Sequence, residues 1–210
     1  MIKVKTDFGV YISQEMSFIP GSKKINQQQS FQNLIMLCTF FESKGLFFGV
    51  IYGTLLGLYR DGALIPWDED TDMFILEKDK KILMNSLFDL RALGFELVRK
   101  DGGLLSFSRM DEYTDIYIFS KKRTGGYSCN FMFLQDLYFD GNAFLYIGDY
   151  TIPTVNHIES FLTNAYGPDW MVPIKNRPAN VNNFIGSAYF FLSPLLPKFI
   201  IKILKLIVRG

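Results

Sequence analysis

The stretch IPWDEDTDMFI, residues 65–75, sets Asp68, Glu69, Asp70 and Asp72 within five positions and runs directly into apolar MFIL. Side chains of a strand alternate between faces, so Asp70 and Asp72 share one face while Thr71 and Met73 take the other. Carboxylates that close repel. Either one takes up a proton at raised pKa, or a cation sits between them. A fold that accepts this stretch must bury the strand and leave its acidic end open to a counter-ion. A divalent ion that prefers oxygen answers the charge problem, and Mg²⁺ (or Mn²⁺) is the usual choice beside phosphates.

A calcium loop competes for the same residues. Asp68, Asp70 and Asp72 match its first, third and fifth positions, but Met73 replaces the turn glycine and Asp79 stands at the twelfth in place of glutamate. The strand-like MFIL also falls inside the would-be loop, which sets this reading aside. The bland competitor is a solvated acidic turn without a ligand. Two further features weigh against it. Upstream, Gly53 and Thr54 follow a strand-like run and open the helix YGTLLGLYR. Backbone N–H groups at a helix start, beside a hydroxyl, suit a phosphate, and Arg60 a turn or two later offers a bidentate contact. Downstream, Asp115 lies in the apolar strand YTDIYIF. A buried charge needs a partner, and a shared metal is one.

The rest of the 210-residue chain is 49% hydrophobic and 20% charged, enough to bury a core in one domain with an appendage at most. A formal net charge of +1 gives no nucleic-acid signature. One histidine and two distant cysteines, Cys38 and Cys129, are too few for a zinc site and read as a reduced pair. The start, MIKVKTDFGVYI, has no signal-peptide h-region, so synthesis in the cytosol is expected.

Residues 1–20 read as one or two short strands, GSKKINQQQS as a loop, FQNLIMLCTFFESKG as a helix and LFFGVIY as a buried strand. TDMFIL reads as a strand and EKDKKILMNSLFDLRALG as one amphipathic helix. FELVRK, LLSFSRM and TDIYIF follow as strands. Residues 125–153 look like further β-structure with a turn at Asp140-Gly141-Asn142, and VNHIESFLTNAYG is a helix. The class is α+β. The end differs. Residues 184–197 carry no charge, and Lys198, Lys202, Lys205 and Arg209 then fall on one helical face. This predicts a C-terminal amphipathic helix that docks on a membrane surface through residues 184–210, the alternative being a helix packed on the domain or on a second subunit. Pro194 and Pro197 argue against a span. The expected division is a catalytic domain over 1–180 and this segment over 181–210.

The string GTLLGLYRDGALIPWDEDTDMFI resembles the signature of the LicD family, which runs roughly G-T-L-L-G, then Arg, then I-P-W-D-D-D-I-D. TDIYIF sits where that family has its V-D-I-F strand, and AYGPDWMVP resembles its later Tyr-Gly, Trp and Pro block, so the resemblance spans residues 31–173. It implies a nucleotidyltransferase-like mixed β-sheet flanked by helices. It also implies Mg²⁺-dependent transfer of a phospho-alcohol, phosphocholine or similar, from a CDP-linked donor to a hydroxyl of a glycan or lipid-linked glycan, with CMP leaving. On that resemblance Asp70, Asp72 and Asp115 hold the metal, and Asp115 accepts the proton of the attacking hydroxyl. Gly53, Thr54 and Arg60 contact the donor diphosphate, and Asp68 orients the ligands. The setting implied is cytoplasmic, peripheral on the inner face of a bacterial membrane, in capsule, lipopolysaccharide or teichoic-acid decoration. Glu69 and Thr71 depart from the pattern, and neither is a proposed ligand. A nucleotidyltransferase releasing pyrophosphate, or a non-catalytic membrane-docked module, remain as alternatives.

Among the other candidates, Trp67 reads as packing, Trp170 as packing or ligand stacking, and His157 as a surface or capping residue. Arg109 either reaches the site or makes a surface pair, and Tyr166-Gly167 matches both the family block and a helix stop.

Overall fold

The acidic stretch leads into the centre of a mixed sheet. In the computed structural model, which describes residues 1–18, 23–175 and 179, β4 (Thr71–Leu76) has all six residues buried. It pairs antiparallel with β3 (Phe48–Val50) and parallel with β7 (Glu112–Lys121). A strand covered on both faces reads as a continuous apolar run, and MFIL supplies one. The sheet continues through β6 (Leu104–Arg109) to β5 (Glu96–Asp101) on one side. On the other it runs through β11 (Tyr150–Val155), parallel to β3, to β10 (Asn142–Ile147). Two short strands, β8 (Tyr127–Cys129) and β9 (Met132–Leu134), extend from the end of β7. A separate hairpin, β1 (Ile2–Thr6) and β2 (Gly9–Ser13), hooks onto β5: Tyr11 donates to Glu96 (2.8 Å), and Ser13 donates to the Leu97 carbonyl (2.6 Å). The expected α+β class and mixed sheet flanked by helices are what the chain adopts.

Helix α1 (Gln27–Ser43) covers the face bearing Thr71, Glu112 and Thr114. Asn26 caps it by accepting from the Gln29 N–H (3.1 Å), so QQQS, expected as loop, forms its first turn. Buried Glu112 ties this end to β7, accepting from Ser30 Oγ (2.8 Å) and Asn26 N (3.2 Å) and pairing with Lys23 (2.8 Å). The opposite face, toward the C-terminal end of β4, carries the aromatic cluster Phe74, Phe119, Tyr127 and Phe139. Helices α2 (Tyr52–Asp61) and α5 (Ile158–Tyr166) complete the packing, with Tyr52 against Phe161 at 5.8 Å.

One expectation fails in detail. Residues 77–94 do not form a single helix: a 3₁₀ turn (Glu77–Asp79) leads into α3 (Lys80–Asn85) and α4 (Leu87–Ala92). Ser86 makes the break. It leaves helical geometry at φ −89°, ψ 4°, and its hydroxyl donates back to the Ile82 carbonyl (2.9 Å). The turn at 140–142 is present, and a second at Gly148-Asp149 joins β10 to β11. The C-terminal amphipathic helix and the division at 180/181 lie outside the described residues. Among the described residues no helix is long and apolar enough to cross a membrane.

Gly57 on α2 shows why the helix carries a second glycine. A Cβ there would lie 2.6 Å from the Ala63 carbonyl oxygen and 3.0 Å from the Ile65 nitrogen, both backbone. Gly57→Ala is expected to cost roughly 1–3 kcal/mol through overpacking, against the small propensity gain of alanine; urea denaturation with an unchanged slope would measure it.

Candidate active site

Asp72 on β4 stands directly opposite Asp115 on β7. Around Asp72 the start of α2 is fixed by three hydrogen bonds. The Asp72 N–H donates to Thr54 Oγ1 (2.7 Å), its carbonyl accepts from Ile51 N (3.1 Å), and its Oδ2 accepts from Gly53 N (3.2 Å). The helix entry is strained: Tyr52 sits at φ +49°, rare for a bulky side chain. Its ring is buried against Tyr117 (5.3 Å) and Phe161, which holds that conformation. Gly53 is glycine for a local reason. A Cβ would lie 2.8 Å from Asp68 Oδ2 and 3.4 Å from Asp72 Oδ2, so the missing side chain lets two carboxylates close over the backbone.

Asp115 is held from two other strands. Ser106 Oγ on β6 donates to Oδ1 (2.6 Å), and Arg99 Nη2 on β5 donates to Oδ2 (2.5 Å). The registers align Arg99, Ser106, Asp115 and Asp72 in one row across four strands. Asp70 lies just ahead of β4, where repulsion from both Asp115 and Asp68 reaches it.

The electrostatics follow from this crowding. Burial, then Asp115 and Asp68, push the Asp70 carboxyl up to about 7, with Arg99 opposing. Burial raises Asp68 to about 6 against the pull of Arg60. Asp72 is driven well above the usual carboxylate range by burial and then by Asp70, Asp115 and Asp68. Asp115 is raised by burial, with Arg99 and Ser106 holding it down. Four acids sharing one buried region are a strong sign of a working site.

Whether these residues suit a divalent metal turns on donor type and charge. Among the described residues no three His, Cys, Asp or Glu side chains already converge as a finished cage. The donor chemistry fits Mg²⁺: Asp70 and Asp72 are hard oxygen ligands that disfavour each other's ionisation, which a bound cation reverses. Asp115 stands beside them with its charge shared with Arg99.

The other sequence candidates are placed as follows. Gly53 and Thr54 lie at the site, engaged with Asp72. Arg60, its side chain only 5% exposed, forks onto Asp61 (2.6 Å through Nη2) and reaches the Trp170 carbonyl (3.5 Å). It therefore pins α2 to the segment after α5, and its charge still reaches Asp68. Trp170 is buried against Tyr59, and Trp67 packs half-buried on the core. Arg109 points to the α1 face, bonded to Asn33 (2.8 Å) and the Leu93 carbonyl (3.0 Å), away from Asp115. His157 is exposed at the head of α5, where its side chain makes no capping bond. Thr71 faces away from the acids and meets Thr114 at 2.8 Å, a packing role as expected. Sequence reasoning missed Arg99 and Ser106, and it missed Tyr52 and Tyr117 as walls of the cluster. The signal for Ser106 was present, as a hydroxyl flanked by the apolar residues Leu105 and Phe107 in LLSFSR.

No curated protein matches the chain. Several solved structures align with it, among them the following. The lincosamide antibiotic adenylyltransferase LnuA, lincomycin-bound, shares 14% identity over 60% of this chain and 79% of its own, at a TM-score of 0.46. ANT(2'')-Ia in complex with adenylyl-2''-tobramycin shares 14% identity over 87% of this chain and 97% of its own, at 0.48. The solution structure of ANT(2'')-Ia shares 12% over 86% of each chain, at 0.42. The family model described as LicD/FKTN/FKRP, nucleotidyltransferase domain, matches residues 45–156, which include Gly53, Thr54, Arg60, Asp70, Asp72 and Asp115. With more than half of its length matched, the chain belongs to the LicD family and is a transferase built on a nucleotidyltransferase domain.

Proposed function

We propose that the chain moves a phospho-alcohol, phosphocholine or similar, from a CDP-linked donor to a hydroxyl of a cell-surface glycan, releasing CMP. The observation that carries this reading is the placement of Asp72 opposite Asp115, with Asp70 just ahead of β4, beside the glycine-opened start of α2 and within the matched family domain. Asp70 and Asp72 would hold Mg²⁺, with Asp115 completing the set. When bound, that ion offsets charge on the phosphate oxygens and holds the reacting groups in line.

The chain's own groups supply the rest. The donor diphosphate would lie at the head of α2, where Gly53 lets the Asp68 and Asp72 carboxylates close over the backbone, and Arg60 adds positive potential at the Asp68 edge. The acceptor hydroxyl oxygen bonds to the phosphorus bearing the alcohol, and the bond from that phosphorus to CMP breaks. Asp115 takes the hydroxyl proton, a role helped by the raised basicity that burial gives it. The buried rings of Tyr52 and Tyr166 and the half-buried ring of Tyr117 keep bulk water from the floor of the site.

A thermal-shift panel tests the donor. CDP-choline, CDP-ribitol, CDP-glycerol, CDP-ethanolamine, CTP and ATP are each added with and without Mg²⁺. A donor at a hundred times its dissociation constant stabilises by about 2.7 kcal/mol. One CDP-alcohol is expected to shift the melting temperature only with Mg²⁺, and CMP is expected as the product. A shift confined to a triphosphate, with pyrophosphate released, would replace this reading with nucleotidyl transfer. No shift with any nucleotide would count against both.

A further inference from the structure

A bulge in β5 decides where Arg99 points. Leu97 pairs with Phe107, and the register then slips so that Arg99, not Val98, pairs with Ser106. Unbulged, Arg99 would oppose Leu105 and point to the α1 face with Leu97. The extra residue turns it onto the face of Asp115, as bulges beside active sites commonly do. The Val98 carbonyl at the bulge accepts from Met16 N (2.9 Å), and the Phe18 ring lies against the guanidinium at 4.5 Å. Three separate features therefore hold one cation against one carboxylate.

The pairing is not the one an ion pair adopts by itself. Arginine meets carboxylate best fork to fork, with two parallel N–H···O bonds. Here Ser106 holds Asp115 Oδ1 and Arg99 Nη2 holds Oδ2, while Arg99 Nε is buried without a hydrogen-bond partner among the described residues. The bidentate arrangement is given up, and the carboxylate gains two donors from two different strands. That arrangement fixes the plane of Asp115 rather than maximising the strength of the pair.

We infer that Arg99 and Ser106 form a two-point clamp that sets the plane of Asp115 against Asp72, making both positioning residues for the transfer reaction. This rests on the transferase reading of the same site. Ser106→Ala frees Oδ1 and lets Asp115 turn onto the Nε–Nη2 fork of Arg99. The melting temperature is then expected to stay near that of the unsubstituted chain, while Mn²⁺ binding weakens by about tenfold or more, as supporting groups of metal ligands commonly show. With a CDP-alcohol donor, kcat should fall with donor KM changed less than twofold. Arg99→Lys keeps the charge but not the planar fork, and should weaken Mn²⁺ binding in the same way.

The experiment is Mn²⁺ titration of the full chain, followed by electron paramagnetic resonance, for the unsubstituted protein and both variants. A merely structural ion pair gives another pattern: Ser106→Ala loses stability and binds Mn²⁺ normally, and Arg99→Lys behaves as unsubstituted. That pattern would overturn the clamp and leave the transferase reading intact. An unsubstituted chain that binds no Mn²⁺ would overturn both.

Discussion

Asp70→Asn is expected to make the metal-free chain more stable and to abolish transfer. Burial and the neighbouring acids push its carboxyl up to about 7 in the fold, against an ordinary value of 3.8. At pH 8 the folded chain must therefore keep ionised a group that the unfolded chain ionises freely. Each pKa unit of that difference is roughly 1.4 kcal/mol. Asp70 is only partly buried, so solvent screens some of the cost. The expected gain is about 2 kcal/mol at pH 8, shrinking as pH falls through 7 and vanishing only below 3.8, where the acid is protonated in both states. Activity should fall by about a thousandfold, the scale of losing a group that stabilises transition-state charge. Most point changes lower stability, so a variant that gains stability while losing turnover marks a residue kept for chemistry. Equal or lower stability of the metal-free variant would sink the charge-crowding account, and retained biological function would favour a non-catalytic module.

Arg99→Met should do the opposite. It removes the cation from an Asp115 that is 4% exposed and leaves a buried carboxylate uncompensated. Breaking such a pair from one side typically costs about 3–5 kcal/mol, and the partial exposure of Arg99 places this case near 3. The loss should be largest at high pH and shrink as pH falls, because burial already favours the protonated form of Asp115 and the loss of Arg99 favours it further. Adding Asp115→Asn to Arg99→Met should recover most of it. A double variant as unstable as the single would show that Arg99 stabilises through its guanidinium on the Phe18 ring instead.

The parts legible in the sequence were those set by local chemistry. TDMFIL had to be a buried strand, and alternation alone put Asp72 on one face and Thr71 on the other. Gly53 and Thr54 opening a helix, and Asp115 on a neighbouring strand, followed from the same reasoning. The illegible parts depended on non-local pairing. FELVRK carries no mark of the bulge that re-aims Arg99, since plain alternation places Arg99 with Leu97. EKDKKILMNSLFDLRALG has a helical period throughout, and the break at Ser86 is a side chain bonding back to its own helix. Arg60 had a phosphate-binding aspect by spacing, and the structure gives its fork to Asp61, a partner one residue away.

The central claim is that a buried carboxylate cluster is held ready for a cation, and the pH dependence of stability tests it most directly. Asp68 and Asp70 titrate at about 6 and about 7 in the fold and near 4 when unfolded. Between those values the folded chain binds more protons than the unfolded chain, so stability must fall as pH rises. Asp7 and Glu96, held low by hydrogen bonds from Lys81 and Arg91, finish titrating below this window. The measurement is urea unfolding of the chelator-treated chain from pH 5 to pH 8, repeated with Mg²⁺. The account predicts a loss of several kcal/mol across that range, recovered by Mg²⁺ at pH 8 and barely changed by it at pH 5. Stability that stays level or rises from pH 5 to pH 8, or that ignores Mg²⁺ at pH 8, would contradict it.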